Sequence, residues 1–494
     1  MDFKKATPES QGIPSQHILL FLDELEKKHI PMHSFLLLKQ DQLLAEGYYS
    51  PYKKETLHRM FSISKSFTAI AVGILASEGK LSLSDPIVNY FPDKVPDNLH
   101  PWIAELTIKN MLLMRTCHAS TTYKGCTSDW VESFFTTPPT HRSGTIFHYD
   151  TSSSHVLCAL AERLSGMKML DFLKDRLSEL DFSRDSYMLT DPEGFSLGGS
   201  GLVATSMDIL KFGYLLLKEG NINGKQLVPA AFIKEATSCL TETVVTAPVP
   251  SESCGYGYMI WQNEKGGYVL YGMGGQLVVI FPEEQLILVT TADTQGISGG
   301  NQIIYDTFYN NIYEPLRCKR DSAFSSEEAS ILQKRLENLS LSPLSCYVDQ
   351  KKWKLFSPIM ERIHHKTFQI TAPSSGASDT GKNVSVFNDF TFIFDKNEEG
   401  ALRFTTKDKS YHLSFGFGKL TEGIFPIYDL KYASSGVWLD EHTLYLRFHI
   451  IDEYTGSVHM QFFFGDNDLT IYMKKNEESC FEEFKGHFYG KMIN

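Results

Sequence analysis

The stretch FSISKSF, residues 61 to 67, sets a hydroxyl and an amine three positions apart at the entrance to the strongly apolar run TAIAVGILASEG. Residues three apart share a face of a helix, so the Ser62 hydroxyl can meet the Lys65 amine one turn in. A serine hydroxyl becomes a nucleophile when a neighbouring base takes its proton. A lysine can do this only where desolvation or positive potential lowers its pKa. The N-terminus of the helix supplies part of that potential. The plainer reading makes Ser62 a helix cap and Lys65 a solvated side chain. Against it, the lysine heads an otherwise apolar helix, where a partly buried ammonium is costly unless it is used.

Other candidates carry less. GFSLG, residues 194 to 198, fits G-x-S-x-G, but a nucleophile elbow needs a strand before it and a helix after, whereas DPE precedes and GSG follows. His118, His148 and His155 fall near the candidate site without H-E-x-x-H or similar metal spacing and read as structural, while adjacent His364 and His365 suggest nothing specific. Asp150 reads either as a pocket-lining carboxylate or as a surface one. Cysteines 117, 126, 158, 239, 254, 318, 346 and 480 show no CxxC or CxxH spacing, so reduced structural thiols are expected. No metal or organic cofactor is expected.

The elements that must position Ser62 and Lys65 follow from periodicity. Phe67, Ile70, Ala71, Ile74 and Leu75 keep helical spacing, with Gly79 as the stop. Further helices are predicted at TSSSHVLCALAERLSG and at ATSMDILKFGYLLLKEG, the latter opened by a Thr205/Asp208 capping box. SFLLLKQDQLLAEGYY, residues 34 to 49, reads as a hairpin about KQDQ, and residues 268 to 293 as two long strands joined at PEEQ. Near residue 321 the texture changes. A helix with Ser325 and Glu328 as capping box and Leu332, Leu336 and Leu339 on one face is read as a connector. After it come alternating strands: Leu444, Leu446, Phe448 and Ile450; Val458, Met460, Phe462 and Phe464; Leu469, Ile471 and Met473. Turn residues Gly456, Gly465 and Asn467 separate them, so an antiparallel meander or closed barrel is expected. Residues 372 to 383, APSSGASDTGKN, read as a mobile Ser/Gly-rich loop.

Composition sets the outer bounds. The 494 residues favour two domains, and 42% hydrophobic with 21% charged residues describes an ordinary globular chain. A formal net charge of −12 without a basic run argues against nucleic acid or an anionic membrane as partner. With neither an apolar leader at MDFKKATPESQGIPSQ nor a run long enough to span a bilayer, a cytoplasmic location is expected.

Six blocks, in order over roughly residues 5 to 315, resemble the serine β-lactamase-related family: the segment from PESQGIPSQ to AEGYY, FSISKSF through NYFPD, LTIKNMLLMRT, SGTIFHYDTSSSHVLCALAERLSG, GGSGLVATSMDILKFG and YGMGGQLVVIFPEEQLILVTTAD. More narrowly, they resemble the branch related to class C β-lactamases, which includes DD-peptidases, esterases, D-amino-acid amidases and small-amide hydrolases. The resemblance implies an α/β (α+β) transpeptidase-type fold, an antiparallel sheet flanked by helices, over residues 1–320. The connector then takes 321–345 and an all-β accessory domain 346–494.

It also implies the chemistry. Ser62 is the nucleophile and Lys65 its activator. Tyr149, in the Tyr149-Asp150-Thr151 stretch that matches the family's Tyr-x-Asn, shares protons with both; beside an ammonium its phenol is expected to be pushed toward phenolate. Thr151 replaces the usual Asn, keeping a hydroxyl but losing the amide that meets a substrate carbonyl. The third motif, Lys-Thr-Gly or His-x-Gly, falls within YGMGGQ. If Met273 holds the basic position, a cation has been lost and a substrate carboxylate finds no partner there. Gly272, Gly274 and Gly275 allow close backbone approach, and one amide of this stretch, with that of Ser62, can form an oxyanion hole; alternatively these glycines mark only a bend or bulge where a strand begins. The expected activity is cleavage of small esters, amides or short peptides through an acyl-enzyme. Rival readings are a β-lactamase or DD-peptidase, and a non-catalytic binding or sensing protein whose C-terminal barrel holds a ligand or partner.

Overall fold

Met32–Lys39 is buried at every position, the pattern of a strand covered on both faces. The chain turns back through Gln40 and Asp41, both at positive φ (47° and 66°), the backbone of a two-residue hairpin turn. It then pairs antiparallel with Gln42–Tyr48, so the expected hairpin forms. The segment from 268 to 293 differs from expectation. It makes three strands, Tyr268–Gly272, Gln276–Phe281 and Leu286–Ala292, because Gly274 and Gly275 take positive φ (85° and 94°) and fold a turn in which Gly272 faces Gln276. These glycines therefore form a hairpin rather than a bulge at the start of one long strand.

The computed structural model describes residues 1–126, 128–246, 249–318, 326–348, 354–371, 386–395, 398–407, 409–478 and 480–493. They form two units, Met1–Tyr48 with Lys53–Leu339, and Tyr49–Tyr52 with Ser340–Asn494. In the first, a seven-stranded sheet runs in the order Lys4–Lys5, Gln42–Tyr48, Met32–Lys39, Leu286–Ala292, Gln276–Phe281, Tyr268–Gly272, Trp261–Gln262. All pairs are antiparallel except the first. Helix Ser206–Leu217 packs on the two strands Gln276–Phe281 and Leu286–Ala292, and it opens with the expected Thr205/Asp208 capping box. Helix Ile63–Ser77 lies against both helix Thr151–Ser165 and strand Tyr268–Gly272, bringing the first two motifs and the third to one place. Helix Ser326–Glu337, read from sequence as a connector, packs on helix Ser15–Lys27 and strand Gln42–Tyr48 within the same unit. Ser325, half of its expected capping box, and the 372–383 segment lie outside the described residues.

The second unit is a meander that closes. Among the described residues, ten strands run from Thr367–Thr371 to Gly486–Met492; nine of them make the ring, in which the last pairs with the first. A parallel contact of Gly416 and Phe417 with Ser435 and Gly436 completes the ring, while Thr421–Phe425 pairs only along Leu430–Trp438. Leu444, Leu446, Phe448 and Ile450 point inward with the alternation expected, and the interior is filled by rings such as Phe392, whose centroid lies 5.0 Å from Phe462 and 4.9 Å from Phe464. Among the described residues, no helix is long and apolar enough to cross a membrane.

Candidate active site

Ser62 stands at the N-cap position of helix Ile63–Ser77, yet its side chain makes no cap hydrogen bond. Instead Lys65 Nζ donates to Ser62 Oγ at 2.9 Å and to the Gly199 carbonyl at 2.7 Å. Lys65 is 1% exposed, so the solvated-lysine reading fails. The flanking hydroxyls are structural: Ser64 Oγ donates to the Phe61 carbonyl and accepts from the Leu202 amide, and Ser66 Oγ donates to the Met259 carbonyl. Together they fix the helix entry on both sides. Just before the serine, Phe61 is held at φ 46°, a conformation a bulky side chain rarely takes, with the Arg59 guanidinium 5.0 Å from its ring. The first backbone bonds of this turn are donated by Ile63, Ser64 and Lys65 to Met60, Phe61 and Ser62, which leaves the Ser62 amide outside the helical ladder.

Tyr149 comes to the same place, with the Lys65 ammonium 4.8 Å from its ring centroid. Its phenol is not driven toward phenolate as the sequence suggested. Burial is the largest influence and raises its pKa, Glu252 adds to the rise, and interactions with the Ser62 and Trp261 side chains only partly oppose it. The residue as a whole stays 37% exposed. A neutral phenol beside a buried amine suits proton donation better than proton abstraction.

Asp150 is neither pocket-lining nor on the surface. It is fully buried as the N-cap of helix Thr151–Ser165, accepting from the Ser152 and Ser153 amides and from the Ser152 hydroxyl. Burial pushes its carboxyl up to about 6, partly offset by these bonds and by Lys65. Thr151 opens that helix with its methyl against Gly199, where a Cβ would come within 2.4 Å of it; only a glycine lets the chain present its carbonyl to Lys65 so close to the helix. On the other side, Gly272 lies against the Met60 carbonyl, which a Cβ would approach to 2.5 Å. Met273 is half-buried in the turn after it. Gln276 braces this turn by donating to the Met273 and Ala292 carbonyls and accepting from the Ala292 amide.

The remaining candidates are accounted for elsewhere. Ser196 of GFSLG is buried and donates to Glu162 Oε1 at 2.5 Å. His155 and Asp191 make a buried pair at 2.9 Å, and His118, held down to about 4 by burial, meets the Phe134 carbonyl. The His148 amide donates to the Met114 carbonyl, and His364 accepts from the Phe394 amide. Among the described residues, no group of three His, Cys, Asp or Glu side chains is arranged to hold a metal.

The beta-lactamase family model matches residues 20–302. The chain belongs to that family. The sequence resemblance is thereby borne out, and membership makes the protein a hydrolase of the serine beta-lactamase type. The chain is 23% identical over 310 residues to the 6-aminohexanoate-dimer hydrolase of Paenarthrobacter ureafaciens, covering 58% of this chain and 79% of that one. A provisionally assigned 6-aminohexanoate-dimer hydrolase from Bacillus anthracis superposes with a TM-score of 0.53 at 22% identity, over 65% of this chain and 89% of that one. A provisionally assigned beta-lactamase from Bacteroides dorei gives 0.50 at 17%, over 60% and 98%. The last two likenesses establish the fold.

Sequence reasoning missed the wall beside Tyr149 in this beta-lactamase-family site. Trp261 stacks on Tyr149 with centroids 5.5 Å apart, Tyr256 lies 4.8 Å from Trp261, and Tyr271, 6.2 Å from Trp261, donates its hydroxyl to Glu252 Oε1 at 2.5 Å. The signal available was aromatic density at GYGYMIW, residues 255 to 261, which core packing explains equally well.

Proposed function

We propose that the protein is a serine hydrolase that forms a covalent acyl-enzyme on Ser62 and cleaves small ester, amide or short peptide bonds. The observation that carries this is the 2.9 Å contact of a buried Lys65 amine with the Ser62 hydroxyl. The step starts from the neutral amine of Lys65: as Ser62 Oγ bonds to the substrate carbonyl carbon, its proton passes to the lone pair of Lys65 Nζ, and the negative charge on the carbonyl oxygen is met by the Ser62 amide and one amide of the Gly272–Gly275 turn. The bond to the leaving group then breaks, with a proton delivered from Lys65 through the Tyr149 phenol. Water repeats the sequence on the acyl carbonyl and frees Ser62. No cofactor enters these steps.

The name of the Paenarthrobacter relative supports an amide as the scissile bond. If Met273, in the turn after Gly272, holds the position where the resembled enzymes carry a basic residue, the reading favours substrates that lack a fixed carboxylate over penicillins and stem peptides. The barrel interior, packed with phenylalanine, leaves a ligand-holding role for it without support. A screen of small ester and amide substrates against wild type and Ser62→Ala tests the proposal. Turnover confined to wild type, with slow or absent turnover of a chromogenic cephalosporin, is expected. Turnover surviving in Ser62→Ala removes the reading, and rapid cephalosporin turnover moves it to a β-lactamase.

A further inference from the structure

Glu252 ends a short turn of helix, Pro250–Glu252, and reaches the aromatic wall of the site. Its carboxyl is half-buried and accepts from the Tyr271 hydroxyl at 2.5 Å. Tyr271 leads through Trp261 to Tyr149, whose ring already faces the Lys65 ammonium. Among the described residues, the influences on the Glu252 carboxyl are burial, which raises its pKa, and the Tyr271 bond, which lowers it, with no cation among them. Burying a carboxylate against rings without a countercharge is unfavourable unless something supplies that charge. Lys65 is already committed to Ser62 and the Gly199 carbonyl.

We propose that Glu252, at the Tyr271 end of the row of rings Tyr149, Trp261 and Tyr271, forms with them a subsite for a protonated primary amine carried by the substrate. The rings suit this ligand, since the faces of Trp and Tyr attract a cation, and a carboxylate at the end of the wall fixes where the charge rests. The net charge of −12 adds a long-range field that favours cations over anions. This assignment rests on the Ser62 site as the place of reaction and names the substrate class that site accepts: an acyl or leaving group ending in an ammonium.

The test is a series of linear acyl p-nitroanilides of increasing chain length, each made with a terminal ammonium, methyl or carboxylate. At one chain length the ammonium member exceeds its methyl isostere in kcat/KM by on the order of tenfold. In Glu252→Gln that ratio falls to within about twofold, and in Glu252→Lys the carboxylate member overtakes the ammonium one, an inversion that a merely structural Glu252 does not produce. The ratio cancels any general loss of activity in the variants. A ratio unchanged in Glu252→Gln, or no ammonium preference at any length in wild type, overturns the assignment. Calorimetric titration of n-pentylammonium and of n-pentanol into Ser62→Ala reads the subsite without turnover; binding of the ammonium alone is expected, and equal or absent binding overturns it. Failure of the hydrolase reading shows differently, as a Ser62 that no acylating or phosphonylating probe modifies.

Discussion

The inner wall of the serine site, at Lys65 and Asp150, and the barrel interior are both buried, and they are built in opposite ways. Around Ser62 the protein encloses the lysine amine, a carboxyl raised to about 6 by burial and the hydroxyls of Ser64 and Ser66, each held by particular partners. The barrel encloses hydrocarbon, ring on ring, from Phe368 through Phe484. Hydrocarbon burial stabilises a fold, whereas burial of charge costs stability and is retained where the charge does chemistry. Substitutions in the first region should therefore remove activity with little or no loss of stability, and those in the second should do the reverse.

Lys65→Met is the largest expected break in that contrast. It removes the proton acceptor while nearly conserving volume, so kcat/KM on any substrate turned over should fall by on the order of 10³-fold or more, with a melting temperature equal to or above that of wild type. A melting temperature far below wild type, with activity per folded molecule intact, would make the lysine structural. Next in size is Phe392→Ala, which opens a cavity between Phe462 and Phe464. Denaturant unfolding should show a loss of about 3–5 kcal/mol. A loss under about 1 kcal/mol would mean that the interior collapses around the missing ring and is looser than its packing implies.

The smallest effect is in pH dependence. The folded-state pKa of Asp150 is raised to about 6 from an ordinary 3.8. The protonated form is thus the one the fold favours, and its contribution is present below the ordinary carboxyl range and lost as pH rises through about 6. Asp150→Asn, which keeps a cap oxygen, should flatten the fall in stability between those two pH values, a difference of about 2 kcal/mol between wild type and variant. Parallel stability curves for the two proteins would contradict the burial assigned to this carboxyl.

The same contrast explains what was legible in the sequence. The barrel strands could be read because period-two alternation is a local consequence of burying one face, as at Leu444 to Ile450. Closure of the ring was not fixed locally, since it depends on Gly416 and Phe417 meeting a strand some twenty residues further on. Ser62 and Lys65 could be read because their partnership is set within one helical turn. The Gly199 carbonyl, the Glu252 carboxyl and the buried cap role of Asp150 could not, because each is defined by what long-range packing brings to it. The break of the 268–281 run at Gly274 was hidden for a related reason: glycine there was compatible with a bulge or a hairpin, and only the pairing of Gly272 with Gln276 decides.

Intact-mass analysis after exposure to a fluorophosphonate probe tests the central claim most directly. Wild type should gain one phosphonyl adduct, mapped by peptide digestion to Ser62. Labelling should vanish in Ser62→Ala and slow by orders of magnitude in Lys65→Met. An unmodified wild-type protein, or equal labelling of Ser62→Ala, would contradict the account.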